Sequence, residues 1–218
     1  MTDSESDPQA TDIQPLDDRT VQRIAAGEVV ERPASVVKEL IENSLDAGAS
    51  RITVTVEGGG TGFLQVSDDG HGIPEAELPL AVEEHATSKI SDIDDLAGVA
   101  SLGFRGEALS TIGAVSRLTI RSRPPEASSG AELTVAGGDV GEIDPAGCPE
   151  GTTVEVEDLF FNTPARKKFL KRTATEFDRV NTVVTGYAPA NPHLAVSLEH
   201  RRPPPVATRG NAHRPSAP

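Results

Sequence analysis

The chain has 218 residues, 34 acidic against 20 basic side chains, a formal net charge of -14, and 3% aromatic residues with no tryptophan. The length suits one domain of good size, and the composition requires a core built from Val, Leu, Ile and Ala. Strong acidity argues against nucleic acid as a partner, but low lysine and clustered basic residues favour a protein kept soluble in a saline cytoplasm.

Cys148 is the only cysteine, so neither an intrachain disulfide nor a cysteine-based zinc site is possible, as in a reducing compartment. No apolar run approaches the length of a membrane span, and the polar, acidic N-terminus is not a signal peptide. A cytoplasmic location with no membrane contact follows. In chain order, residues 1–15 have little to bury and read as a disordered acidic leader. Asp17 and Asp18 offer an N-cap for a helix through Val21, Ile24, Ala25, Val29 and Val30, weakened at Gly27.

Residues 36–48 read as a second helix. Val36, Val37, Leu40, Ile41 and Leu45 recur at helical spacing, Pro33 suits the first turn and Gly48 suits the stop. Glu39, Glu42, Asn43 and Asp46 lie three and four apart on a second, polar face. Residues 51–57 alternate as a strand, Gly58-Gly59-Gly60 turns the chain, and residues 63–66 return it as a hairpin. The second strand ends in Asp68-Asp69-Gly70-His71-Gly72, where Asp69 is positioned to accept from an exocyclic amine and Gly70 and Gly72 leave room for a flat ligand.

A short helix is expected near residues 75–82, a loop of small and hydroxyl residues ending at Lys89, and another short helix over residues 92–96. Residues 102–110 read as a glycine-rich loop opening a helix, whose free amides would make an anion site. No Gly-Lys pair exists, so this is not a P-loop. Strands follow over residues 115–123, 133–135 and 151–156. Residues 162–172 carry five basic side chains and no acid, a reversal of sign that fits either a solvated helix face or a contact with phosphate backbone. A helix from Thr175 through Val184, a strand over residues 194–198 and a Pro/Arg-rich disordered tail over residues 200–218 complete the chain.

Four stretches in order, Glu42-Asn43-x-x-Asp46-Ala47, Asp69-Gly70-x-Gly72, the loop from Gly103 to Leu109, and Gly151-Thr152, resemble the GHKL ATPase superfamily. Residues 24–33, 103–109 and 159–166 are similar within it to the MutL branch of DNA mismatch repair ATPases. The resemblance implies an α+β Bergerat fold, a two-layer sandwich with helices on one face of a mostly antiparallel mixed sheet, over residues 16–199. It implies ATP and Mg²⁺ as ligands. Glu42 would be the general base, Asn43 the Mg²⁺ ligand, and Asp46 its support. Asp69, Gly70, Gly72 and Thr152 would hold adenine. Thr87, Ser88 and Lys89 would lie in a lid, and Gly106, Ala108 and Leu109 would cradle the phosphates.

The resemblance also implies weak Mg-dependent ATP hydrolysis that gates conformational change on mismatched DNA. It implies a MutS-type partner and weak, non-specific DNA contact through Arg166, Lys167, Lys168, Lys171 and Arg172. The second, transducer-type domain and the C-terminal dimerisation domain of such proteins are not found in these residues, which puts turnover and the family's homodimerisation in question. Two other readings are a non-catalytic nucleotide-binding remnant and another GHKL member such as a topoisomerase subunit.

Overall fold

The computed structural model describes residue 15, residues 17–83 and residues 106–201. The expected leader (but for residue 15), the lid residues Thr87, Ser88 and Lys89, the helix expected over residues 92–96 and the tail beyond residue 201 lie outside the described residues.

The described chain runs α1 (Asp18–Val29), α2 (Pro33–Asp46), β1 (Arg51–Glu57), β2 (Phe63–Asp68), α3 (Leu78–Ala81), α4 (Ala108–Ala114) and β3 (Arg117–Arg123). It continues through β4 (Gly130–Ala136), β5 (Asp139–Ala146), β6 (Gly151–Glu157), α5 (Pro164–Phe169), α6 (Thr173–Ala190) and β7 (Ala195–His200). Asp17 caps α1 as expected, accepting from the Thr20 amide at 3.0 Å. The helix then passes through Gly27 without a break.

The strands form one seven-stranded sheet in the order β5-β4-β3-β6-β2-β1-β7. All neighbours pair antiparallel except β1 and β7, which run parallel. Each central strand alternates. Ile52, Val54, Val56, Leu64, Val66, Leu118, Ile120, Leu133, Val154 and Val156 point to the helices and are buried. On the other face Arg121 bonds Glu132 and Glu155, and Gln65 donates to Glu155 at 3.0 Å. A polar ladder on one face and a buried apolar face on the other make a two-layer sandwich, the architecture expected.

One element was not legible, and one has wider bounds than expected. Strand β5 has an exposed, acidic sequence containing Pro145 and no alternation; it forms because an edge strand needs only one partner, here β4. Helix α6 begins earlier and ends later than the apolar period suggests, carrying Pro189 in its last turn.

The turn after β6 does unusual work. Asp158 and Phe160 adopt positive φ (51° and 66°), which costs a bulky residue about 1–2 kcal/mol. Burial offsets that cost. Leu159 and Phe160 are fully buried, the Phe160 amide donates to the Val115 carbonyl at 2.7 Å, and Asn162 Nδ2 donates to the Ala114 carbonyl at 2.8 Å. The turn thereby closes the C-terminal end of α4. Phe160→Ala should cost about 3–5 kcal/mol in denaturant unfolding, whereas Phe169→Ala, at a residue 73% exposed, should stay within about 0.5 kcal/mol.

Candidate nucleotide site

Helix α2 lies on the sheet by Val36, Val37, Leu40 and Ile41, all but fully buried. That fixes its rotation and so decides which polar residues face where. Ser44, on the buried side, donates its hydroxyl to Asp68 Oδ2 at 2.8 Å. At the end of α2 the His71 amide donates to the Ala47 carbonyl at 3.0 Å, and a Cβ added at Gly70 would lie 2.8 Å from Ala47 Cβ. The loop after β2 is thus docked on the flank of α2 that carries Ala47. One and two turns back on that flank stand Asn43 and Glu39.

Asp68, not Asp69, is the carboxylate on this side. Its Oδ1 accepts from the Gly70 amide at 2.9 Å and the Thr152 amide at 3.2 Å, and its Oδ2 from Ser44. Asp68 pairs across the sheet with Thr152, whose Oγ1 lies 2.9 Å from Ser122 Oγ. Ser122 accepts from the Ile73 amide at 2.7 Å and donates to the Gly151 carbonyl at 3.0 Å. Strand end, loop and neighbouring strands are tied into one polar network. A carboxylate offers about four acceptor positions, and these bonds take three, leaving one for a ligand N–H.

The expectation for Asp69 is corrected. Its side chain turns outward and caps the start of β1, accepting from the Ser50 amide (2.8 Å), the Ser50 hydroxyl (2.8 Å) and the Arg51 amide (2.7 Å). Slight burial works upward on its pKa, but these donors and the Arg51 charge outweigh it and hold the carboxyl below its ordinary range. The reason is the strand's period of two: adjacent residues point to opposite sides.

The two glycines also have a packing role. A Cβ at Gly70 would press on Ala47, and one at Gly72, where φ is +69°, would lie 2.7 Å from the Arg123 carbonyl oxygen. Their small size lets the loop pack on α2 and on the end of β3.

Glu42, expected as the general base, lies on the α6 side of α2. It is 7% exposed and faces α6. Oε1 accepts from Tyr187 Oη at 3.0 Å, and Oε2 from Lys38 Nζ at 2.9 Å. Oε1 is thus bonded across the α2–α6 contact and Oε2 within α2. The Tyr187 hydroxyl is pushed well above the ordinary phenol range by burial first, then by its bond to Glu42 and the Glu42 and Glu39 charges. Lys38 is raised by its bond to Glu42, against a smaller opposing effect of burial.

The carboxylate on the Asn43 flank is Glu39. It stands one turn before Asn43, about 40° around the helix, where Glu42 stands about 100° away. Its side chain is 37% exposed and its Oε1 lies 3.6 Å from Lys38 Nζ. Asn43 and Asp46 are half-buried. Asn43 supplies a hard oxygen of the kind Mg²⁺ accepts while keeping waters and phosphate oxygens as further ligands. Among the described residues no three His, Cys, Asp or Glu side chains group to hold a metal. Gly106 precedes α4, and Ala108 and Leu109 form its first turn; α4 packs against α1 and touches α2.

The basic segment forms a separate surface. Lys167, Lys168, Lys171, Arg172 and Phe169 are exposed and Arg166 is half-buried, close to Gly27 of α1. Behind it, buried Glu176 accepts from the Lys171 amide at 2.9 Å and lies 3.7 Å from Arg32, the residue that precedes α2. Among the described residues no helix is long and apolar enough to cross a membrane.

Comparison with known proteins places these features. Residues 31–140 match the family model described as histidine kinase-, DNA gyrase B- and HSP90-like ATPase. The chain is 60% identical over 199 residues to the DNA mismatch repair protein MutL of Halobacterium salinarum, covering 91% of this chain and 30% of that protein. It is 58% identical over 186 residues to MutL of Acidiphilium cryptum, covering 85% of this chain and 32% of the relative. The chain therefore spans about a third of these relatives' length. Among solved structures it is similar to the Aquifex aeolicus MutL ATPase domain complexed with ADP (TM-score 0.62, 36% identity, 79% of this chain and 61% of that one). It is also similar to the N-terminal domain of a DNA repair protein (TM-score 0.70, 31% identity, 83% and 52%).

The α2–α6 contact makes stability fall at alkaline pH. Lys38 and Tyr187 hold their protons more tightly folded than unfolded, so their contribution is complete below their ordinary values of 10.5 and 10.0 and is lost as pH rises through the folded ones. Thermal melts from about pH 8 to about pH 12 should show that fall, and Glu42→Gln should flatten it.

Proposed function

The chain belongs to the histidine kinase-, DNA gyrase B- and HSP90-like ATPase family and is a MutL-type ATPase module, and from that premise we propose how its own residues hold and cleave ATP in mismatch repair. The observation that carries the reading is the docking of the Asp68 loop on the flank of α2 that carries Ala47, Asn43 and Glu39.

Asp68 accepts from the adenine amino group with its remaining lone pair, and Thr152 lends its hydroxyl beside it. Asn43 would hold Mg²⁺, which would supply charge neutralisation at the phosphates. Glu39 takes a proton from water; the water oxygen bonds to the γ-phosphorus as the bond to the β–γ bridging oxygen breaks, leaving ADP and phosphate. Asp46 supports the same face. Gly106 and the amides of Ala108 and Leu109 receive phosphate oxygens. Thr87, Ser88 and Lys89, outside the described residues, belong to the lid on the resemblance alone.

Residues 16–199 form the module. Hydrolysis is slow and changes its conformation, which in the family is the signal to a MutS-type partner on mismatched DNA. The exposed cations Arg166, Lys167, Lys168, Lys171 and Arg172 meet the DNA backbone weakly and without sequence preference.

Calorimetric titration with a non-hydrolysable ATP analogue and Mg²⁺ tests the site. Asp68→Asn should weaken binding by about 100-fold or more, while Asp69→Asn stays within about threefold of the parent. Glu39→Gln should keep its affinity and lose about 100-fold or more of the turnover. Loss of binding in Asp69→Asn with Asp68→Asn unaffected would return adenine recognition to Asp69.

The DNA contact has its own test. Replacing Lys167, Lys168 and Lys171 with Gln should lower affinity about equally for all sequences and reduce the slope of log affinity against log salt by about three. An unchanged slope would remove this surface from the contact.

A further inference from the structure

Glu42, Lys38 and Tyr187 form a chain of contacts that the hydrolytic site as described does not use. Glu42 is buried between α2 and α6, and a buried carboxylate is tolerated only where its oxygens are met by donors. Tyr187, from a helix 145 residues further along the chain, meets Oε1, and Lys38 meets Oε2. The same Lys38 ammonium lies 3.6 Å from Glu39 Oε1. Lysine is long and rotamer-rich, and here its side chain is half-exposed (51%). Without a fixed partner it would not stay beside Glu39. Glu42 is that partner, and Tyr187 keeps Glu42 from turning.

We propose that Tyr187 and Lys38 are positioning residues for hydrolysis: Tyr187 fixes Glu42, Glu42 fixes Lys38, and Lys38 holds the Glu39 carboxylate in the orientation that receives the proton from water. The inference rests on the reading of Glu39 as the proton acceptor. The sequence run Lys-Glu-Leu-Ile-Glu thus serves two carboxylates with one ammonium. Glu42 anchors the ammonium from the dry side of the helix, and Glu39 uses it on the open flank. Tyr187 touches neither nucleotide nor water in this scheme; it acts only through Glu42.

A double-mutant cycle on the chain as it stands reads this link. Tyr187→Phe keeps the ring and removes only the hydroxyl. It should lower kcat by roughly 5- to 30-fold and leave the affinity for a non-hydrolysable ATP analogue unchanged. Lys38→Met should do the same or more. The pair Tyr187→Phe with Lys38→Met should be no slower than Lys38→Met alone, because both act through one path. A structural effect of the lost hydroxyl would instead lower affinity and kcat together, or add to the effect of Lys38→Met, and either result would overturn the proposal. So would an unchanged kcat in Tyr187→Phe. Glu39→Gln is measured beside them. If it retains the parent's turnover, or the parent has none, the reading of the hydrolytic site fails and this inference falls with it. If Glu39→Gln is inactive while Tyr187→Phe is not impaired, the positioning role alone fails.

Discussion

Burial of the stripe Val36, Val37, Leu40 and Ile41 against the central strands sets the rotation of α2, and the rest of the site depends on that rotation. With the apolar side committed to the sheet, one flank of α2 must look to the loop after β2 and the other to α6. Ser44 and Ala47 dock the loop; Glu42 docks α6. Burying four such side chains contributes roughly 1.5–3 kcal/mol each, far more than any one of the polar contacts they orient. The polar groups do not choose their places. They take the ones the apolar packing leaves.

The loop at the end of β2 shows the same logic at a strand. Glycine at 70 and 72 lets backbone meet backbone, which brings the loop onto Ala47 and Arg123 and closes the site on the protein's own side. Asp68 faces inward there, held by amides from its own loop and from β6. A carboxylate so fixed has few orientations to lose when a donor arrives, which favours affinity through preorganisation.

The acidic composition and the basic segment are segregated in space. The central outer face of the sheet balances Arg121 with Glu132 and Glu155, while the exposed cations after β6 stand on another surface. That surface is not mechanically isolated. Glu176 joins the backbone at Lys171 to Arg32, one residue before α2 begins, so the basic segment and the nucleotide helix share a buried anchor.

Much was legible in the sequence alone. Helical period and strand alternation located α1, α2, β1, β2, β3 and β6. The scarcity of aromatics foretold an aliphatic core, and the order of the motifs pointed to an ATPase of this family. The exposed β5, which has no period to read, was not legible. Neither was the placing of neighbours: Asp68 inward and Asp69 outward, Glu39 on the Asn43 flank and Glu42 against α6. One step along a strand reverses the face, and the three steps from Glu39 to Glu42 leave their side chains about 60° apart around the helix. Spacing narrows the candidates to near neighbours, but only the packing partner separates them. For the strand that partner is β6 with Thr152; for the helix it is α6 with Tyr187, a residue that no local pattern connects to Glu42.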